Sequence, residues 1–257
     1  MVGPVLKTAP PRPGPLAKTI GSTMATEANI QTTTLSFLNM HEYGALFVNL
    51  LKARRESFIV KNQWVLPEAE GLEYDQYDNP SSRWIAVHQG DKVLAGVRLT
   101  PTTARCGMYS YMIRDAQLNL LSSIPSNLLD FEAPVDPEIW EASRIFVNGK
   151  VPSRLRTQVQ ILLMGGLMKA AAENGAQQLM GLVPAVWPRW IGRIGLAAQP
   201  AGPVLEMDGW RTQVAHMHLP RSVQAVETNQ KSQSLPRVLR SLVNESEERN
   251  VVANNAG

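Results

Sequence analysis

Three carboxylates crowd into the segment Glu73-Tyr-Asp75-Gln-Tyr-Asp78, directly after an apolar stretch that carries Trp64. A cluster of this kind usually binds a cation, whether a metal, an ammonium group or a sulfonium. Arg54 and Phe58 lie upstream; Arg98-Leu-Thr-Pro-Thr102 and Trp140-Glu141-Ala-Ser143-Arg144 lie downstream. Paired acids, paired arginines and an aromatic wall, spread over about ninety residues, read as one site assembled from several elements. Taken singly, each piece has a plainer reading. Asp75 with Arg98, or Asp78 with Arg54, would be structural salt bridges, and Phe58 and Trp64 would be core aromatics.

The elements that must carry these residues can be read from periodicity and punctuation. Residues 32–37 suit a first strand. Asn39 can cap a helix running from 40 to about 55, with Leu46, Phe47, Leu50 and Leu51 on one face. A loop with Pro67 and Gly71 leads into the carboxylates. Residues 83–88 and 92–99 read as two strands joined by a hairpin turn at Gln89-Gly-Asp91. The region 108–130 suits short helices, and 138–147 a buried strand. On that strand Glu141 and Ser143 share a side, whereas Glu141 and Arg144 share one only if a bulge intervenes. Pro152 precedes a long helix over 153–174, packed through Leu155, Val159, Leu162, Leu163, Leu167 and Ala170 and closed by Gly175. Strands follow at 178–183, 204–207 and 212–218, with a short helix at Trp187-Pro-Arg-Trp-Ile-Gly-Arg193. The order predicts an α/β domain on a mostly antiparallel sheet. Its expected bounds are 32–219, between a disordered extension over 1–31 and a polar extension over 220–257 with a helix at 234–248.

Bulk properties narrow the function. The chain has 257 residues, 44% of them hydrophobic, a net charge of +3, one cysteine and four histidines. No apolar run is long enough to span a membrane, and residues 1–15 lack the apolar region of a secretory signal. A single cysteine, Cys106, allows no internal disulfide and suits a reducing cytoplasm. This inventory argues against a structural zinc site. Arg189, Arg193, Arg211 and Arg221 concentrate basic charge in one third of the chain. They form either an ordinary solvated surface or a docking patch for an acidic partner. Nucleic acid ranks third, because no recognised binding motif is present.

The spacing Arg54-x3-Phe58-x5-Trp64-x10-Asp75-x2-Asp78, then Arg98, then Glu141-x2-Arg144, resembles the acyl-homoserine-lactone synthases, the LuxI-type autoinducer synthases of quorum sensing. The local runs Glu-Tyr-Asp-x-Tyr-Asp, Arg-Leu-x-x-Thr and Trp-Glu-x-Ser-Arg also resemble that family, over roughly residues 33–218. The resemblance implies a GNAT-like fold (that of the N-acetyltransferases) and no cofactor. Two substrates are implied: S-adenosylmethionine, and an acyl thioester usually borne by acyl carrier protein, with acyl-CoA as the other donor. The implied reaction acylates the methionyl amine. The methionyl carboxylate then displaces the sulfonium carbon, closing a lactone and releasing methylthioadenosine.

Such chemistry needs a base for the ammonium, donors for the oxyanion and in-line positioning of the carboxylate. Glu141 on its buried strand is expected to be the base, with desolvation raising its pKa. Ser143 would position the amine. Asp75 and Asp78 would hold the ammonium or orient Arg54 and Arg98. Arg144 would pair with the substrate carboxylate. Phe58 and Trp64 would wall the adenosine or the sulfonium, and Ile145 joins the substrate-binding set. The acyl chain is expected between the long helix and the sheet, along Leu162, Met164, Met168, Met180 and Leu182, although a packed core would look identical. Many relatives that favour 3-oxo chains carry a threonine near the strand end that here reads Gly181-Leu-Val183-Pro184, so a 3-oxo preference is not expected. Arg189 and Arg193 match positions where the family meets its acidic carrier protein. The loop Asn148-Gly-Lys-Val-Pro-Ser-Arg-Leu-Arg156 lacks the glycine cradle that holds a coenzyme A pyrophosphate. The rival readings are an N-acyl amino acid synthase of the same fold and a catalytically dead binding protein.

Overall fold

The computed structural model describes residues 30–193 and 195–219; the expected extensions, including the helix at 234–248, lie outside them. In chain order the elements are β1 (Gln31–Leu35), α1 (Leu46–Arg55), β2 (Glu68–Ala69), β3 (Leu72–Glu73), β4 (Arg83–Gln89), β5 (Lys92–Pro101), α2 (Met112–Gln117) and β6 (Ile139–Val147). Then come α3 (Ser153–Glu173), β7 (Gln178–Pro184), α4 (Trp187–Gly192), β8 (Gln199–Pro200), β9 (Leu205–Met207) and β10 (Trp210–His218). The main sheet runs β1-β4-β5-β6-β7-β10-β8, with β9 also paired to β10. Every pairing is antiparallel except β6 with β7.

That parallel pair is short. Ile139, Trp140 and Glu141 face Gln178, Leu179 and Met180, and the pairing ends there. A Cβ at Gly181 would stand 2.6 Å from the Ala142 carbonyl oxygen, so β7 approaches β6 here more closely than a side chain at this position would allow. β6 is paired with β5 along nearly its whole length, but beyond Glu141 it has no ladder with β7, and a crevice opens there.

The helix α3 covers one face of the sheet. Val159, Leu163, Met164 and Leu167 pack with Ile85, Val97 and Leu99 in the main core. Nearly every residue from Leu162 to Ala171 is buried, a wider face than the expected stripe. Its end follows the sequence expectation. Gly175 takes φ +80°; its N–H bonds to the Ala172 carbonyl and that of Ala176 to the Ala171 carbonyl, a Schellman closure. On the opposite face α1 packs Leu46, Leu50 and Ala53 on Trp84, Ala86 and Phe146, and α2 joins Tyr77, Tyr111, Met180 and Val214.

The entry helix departs from the reading of 40–55 as one helix capped by Asn39. Residues Met40–Tyr43 form a separate 3-10 turn, Gly44 breaks the path at φ +53°, and α1 begins at Leu46. Asn39 makes no helix cap. Its Oδ1 accepts the Ser36 N–H at 2.7 Å and its amide donates to the Thr34 carbonyl at 3.1 Å, closing the turn after β1. Past Arg55 the chain stays helical as a π-turn over Glu56–Lys61, which carries Phe58. Three short strands were not expected, β2, β3 and β8. Between β9 and β10 the dipeptide Asp208-Gly209 has positive φ at both positions, the geometry of a tight hairpin turn.

Candidate active site

The charged residues come together on the α1 face of the sheet as a closed ion network. Arg54 at the end of α1 donates from Nε to Glu73 Oε2 at 2.5 Å. Its two terminal nitrogens grip Asp78 at 2.7 and 3.0 Å. Arg98 on β5 holds Asp75 through Nη1 at 2.5 Å and Nη2 at 3.3 Å, and its Nη1 lies 3.1 Å from Asp78 Oδ1. Arg144 completes the ring, donating from Nε to Glu73 Oε1 at 3.1 Å, with Nη2 at 2.8 Å from Asp75 Oδ2. The cation that holds these carboxylates is therefore guanidinium. Among the described residues no group of three or more His, Cys, Asp or Glu is placed to hold a metal.

The local folding explains the arrangement. Glu73 ends β3, and Asp75 and Asp78 sit in the turn that follows, where Asp75 accepts the Tyr77 N–H and Asp78 accepts the Asp75 N–H. Three carboxylates within six residues thus point inward from one folded segment. Arg54 and Arg98 are 1% and 0% exposed. Burial alone would favour the neutral carboxyls. Arg98 and Arg144 outweigh it at Asp75, and Arg98 and Arg54 at Asp78, holding both acids below the usual carboxylate range. Arg98, although burial opposes its charge, is held firmly protonated by Asp75 and Asp78.

Strand β6 supplies the next layer through the bulge that the Glu141–Arg144 spacing demanded. Gly96 pairs with Phe146 and Arg98 with Ser143, so Arg144 and Ile145 together oppose Val97. Arg144 takes φ +54°, a left-handed conformation unusual for arginine. The bulge turns Ser143 and Arg144 to the same face, where Ser143 Oγ accepts Arg98 Nε at 3.1 Å. Ile145 turns away and lines the crevice toward α3.

Glu141 is fully buried on that same face. Its Oε1 accepts the Ile113 N–H at 2.9 Å and its Oε2 the Met112 N–H at 3.2 Å, both from the first turn of α2. Burial raises its pKa to about 7, against the two N–H donors and Arg98, which favour the carboxylate. A carboxyl poised near neutrality suits proton transfer. Beside the network, Phe58 stacks on Trp64 with ring centroids 5.2 Å apart and planes within 9°. The Arg144 guanidinium stands 5.9 Å from the Phe58 ring centre. Trp64 Nε1 is buried without a hydrogen-bond partner among the described residues.

On the α3 side of β6 lies an apolar cavity of about 30 Å³, lined by Ala142, Ile145, Leu167, Met180, Gly181 and Trp187 among others. Of the five residues read as acyl-chain lining, Met180 reaches it. Leu162, Met164 and Met168 are packed in the main core instead, and Leu182 packs on the α2 side of the sheet. A larger cleft of about 260 Å³ beside His216 and His218 touches none of the charged site residues. Arg189 and Arg193 are both exposed, on and just beyond α4.

Several members of the site had no role in the sequence reading. Glu73 was visible as the third acid of its cluster, and three arginines needing three partners was the signal. Trp84 donates to Asp78 at 2.8 Å, and Tyr77 places its ring under Arg98 with the guanidinium 5.5 Å from the ring centre. The backbone donors of Met112 and Ile113 left no trace in side-chain types.

The sequence profile of the autoinducer synthases matches residues 39–227. An acyl-homoserine-lactone synthase of Ralstonia solanacearum is 31% identical over 157 residues, 59% of this chain and 71% of that protein. An isovaleryl-homoserine lactone synthase of Bradyrhizobium diazoefficiens is 26% identical over 179 residues, 68% of this chain and 74% of that protein. TofI, solved in a ternary complex with an inhibitor and MTA, superposes with a TM-score of 0.60 at 25% identity, over 76% of this chain and 95% of that one. BjaI, a CoA-dependent acyl-homoserine lactone synthase solved with SAM and isopentyl-CoA, superposes with a TM-score of 0.62 at 23% identity, over 84% and 100%. The sheet, its parallel pair and its flanking helices share the fold of these two synthases. With the family profile running across most of the chain and the charged residues gathered into one buried site, this chain belongs to the autoinducer synthase family and is an acyl-homoserine-lactone synthase.

Proposed function

We propose that the chain acylates the amine of S-adenosylmethionine from an acyl thioester on acyl carrier protein and then closes the homoserine lactone. The observation that carries this reading is Glu141. It is a fully buried carboxyl with a pKa near 7, on the same face as Ser143 and the arginine–carboxylate ring. Glu141 accepts a proton from the substrate ammonium, and the freed amine attacks the thioester carbonyl. The tetrahedral intermediate collapses with loss of the pantetheine thiolate, which takes up a proton. The carboxylate of the acylated substrate then attacks the methionyl side-chain carbon bonded to the sulfonium, forming the ring C–O bond as that C–S bond breaks and neutral methylthioadenosine leaves.

Arg144 is the network member with the most exposed side chain, at 12%, so it is the guanidinium that can exchange a protein carboxylate for the substrate's. Phe58 and Trp64 stand beside it as the wall for the sulfonium end. The acyl chain enters the crevice where β6 leaves β7, past Ile145, Met180 and Gly181.

Exposed Arg189 and Arg193 support a carrier protein as donor. Acyl-CoA is the second reading, supported by the shared fold with BjaI, whose donor is a CoA thioester. The test is product mass spectrometry with purified protein, S-adenosylmethionine and matched acyl-carrier-protein and acyl-CoA donors. Lactone with equimolar methylthioadenosine establishes both steps. Amide without methylthioadenosine reduces the function to N-acylation. The faster donor settles the carrier.

A further inference from the structure

Asp115 is a second fully buried carboxylate, and the chemistry above does not use it. Its partners are neutral. Oδ2 accepts the Tyr77 hydroxyl at 2.9 Å and the Ser110 N–H at 2.9 Å, and Oδ1 accepts the Ser110 hydroxyl at 2.7 Å. Ser110 lies two residues before the helix turn whose N–H groups hold Glu141. Tyr77 belongs to the carboxylate segment: its own N–H holds Asp75, and its ring lies under Arg98. One chain of contacts thus runs from the ion network through Tyr77 and Asp115 to the start of α2, and from there to Glu141.

We infer that Asp115 is a positioning residue. With Tyr77 and Ser110 it fixes the first turn of α2 against the ion network, so that the Met112 and Ile113 N–H groups hold the Glu141 carboxylate in register with Ser143 and Arg144. A buried carboxylate with three neutral donors is expensive to maintain unless its geometry is needed. Asp115 satisfies the Ser110 N–H just ahead of α2, a six-residue helix too short to hold itself. The consequence for Glu141 follows from its surroundings. The charged and titratable groups around it are Arg98 from β5, Asp75 from the turn after β3, and Tyr77, Tyr111 and Asp115. If the N–H groups drift, Glu141 keeps its burial but loses two donors to its charged form, so its pKa moves up.

The inference rests on Glu141 being the base, and its test separates the two. Glutamate δ-carbons are labelled with 13C, and the Glu141 signal, assigned by its absence in Glu141→Gln, is titrated by NMR in wild type, Tyr77→Phe and Asp115→Asn. The acid limb of kcat/KM is recorded for the same proteins. Tyr77→Phe removes one hydroxyl and no charge, so it carries the test if Asp115→Asn does not fold. The expected result is an upward move of the Glu141 titration by about half to one pH unit. The kinetic limb should move in step, kcat at pH 7 should fall about two- to fivefold, and KM for S-adenosylmethionine should stay within about twofold. An unmoved titration overturns the inference, even if kcat falls, because a merely structural role would lower activity without touching that pKa. Wild-type turnover and pH profile in Glu141→Gln would remove Glu141 as the base and overturn the catalytic half. The NMR titration would still report whether Asp115 holds that carboxylate.

Discussion

The two sides of β6 solve opposite problems. Toward α1 and β5 the strand faces a closed ring of arginines and carboxylates, each guanidinium held by at least two acids. Toward β7 and α3 it faces a narrow apolar crevice. On the first side geometry is over-determined: a buried charge without its partner costs several kcal/mol, so every group has one acceptable place. On the second side nothing is directional. Position depends on how closely two backbones approach, and Gly181 sets that distance. A bulge lets one strand serve both, turning Arg144 to the charges and Ile145 to the crevice.

Cutting the charged side should have the largest effect. Arg98→Ala leaves Asp75 and Asp78 without their shared partner and should cost about 3–5 kcal/mol of unfolding free energy, read from urea midpoints. A loss below about 1 kcal/mol would mean that the ring is not cooperative. The crevice side should respond less. Gly181→Ala forces a Cβ against the Ala142 carbonyl and should cost about 1–3 kcal/mol. Because β7 must move away from β6, bulkier acyl chains should gain relative to straight ones in competition assays, with KM for S-adenosylmethionine unchanged.

Titration sharpens the contrast, because the acids carry opposite signs. The folded pKa values of Asp75 and Asp78 lie below the unfolded ones. Their contribution is present above about pH 4 and is lost as pH falls through the folded values. Glu141 is raised to about 7, so its contribution is full below its unfolded pKa and is lost as pH rises through about 7. Stability of the wild type should therefore decline from about pH 4.5 to 7, and Glu141→Gln should flatten that limb. An identical slope in both proteins would place the buried proton elsewhere. The smallest effect on the fold is expected at the surface. Glu at both Arg189 and Arg193 should leave stability within about 0.5 kcal/mol while raising KM for a carrier-protein donor roughly tenfold. Acyl-CoA kinetics should not change. Equal effects on both donors would rule out a docking role.

The same contrast explains what could be read before the structure. Arg54, Asp75, Asp78, Arg98, Glu141, Ser143 and Arg144 stood out because charged residues inside apolar segments need partners. The condition attached to Glu141 and Arg144, a bulge, followed from strand periodicity alone. The acyl-chain lining was much less legible. Leu162, Met164 and Met168 have the right character and sit in solid core, whereas Leu167, Gly181 and Trp187 line the cavity without any distinguishing chemistry. Asn39 failed as a cap because Gly44 lets the chain turn before α1 begins, a break that apolar periodicity does not record.

The sequence by itself determined the order of the main strands and helices, the inventory of buried charge and the family, since these depend on residue type and spacing along the chain. Only the tertiary structure decided which guanidinium meets which carboxylate, that Glu141 is held by backbone N–H groups of α2, and where β6 and β7 part. Those outcomes depend on distances between segments far apart in the chain, and a backbone donor or a gap between strands leaves no mark on the side chains that create it.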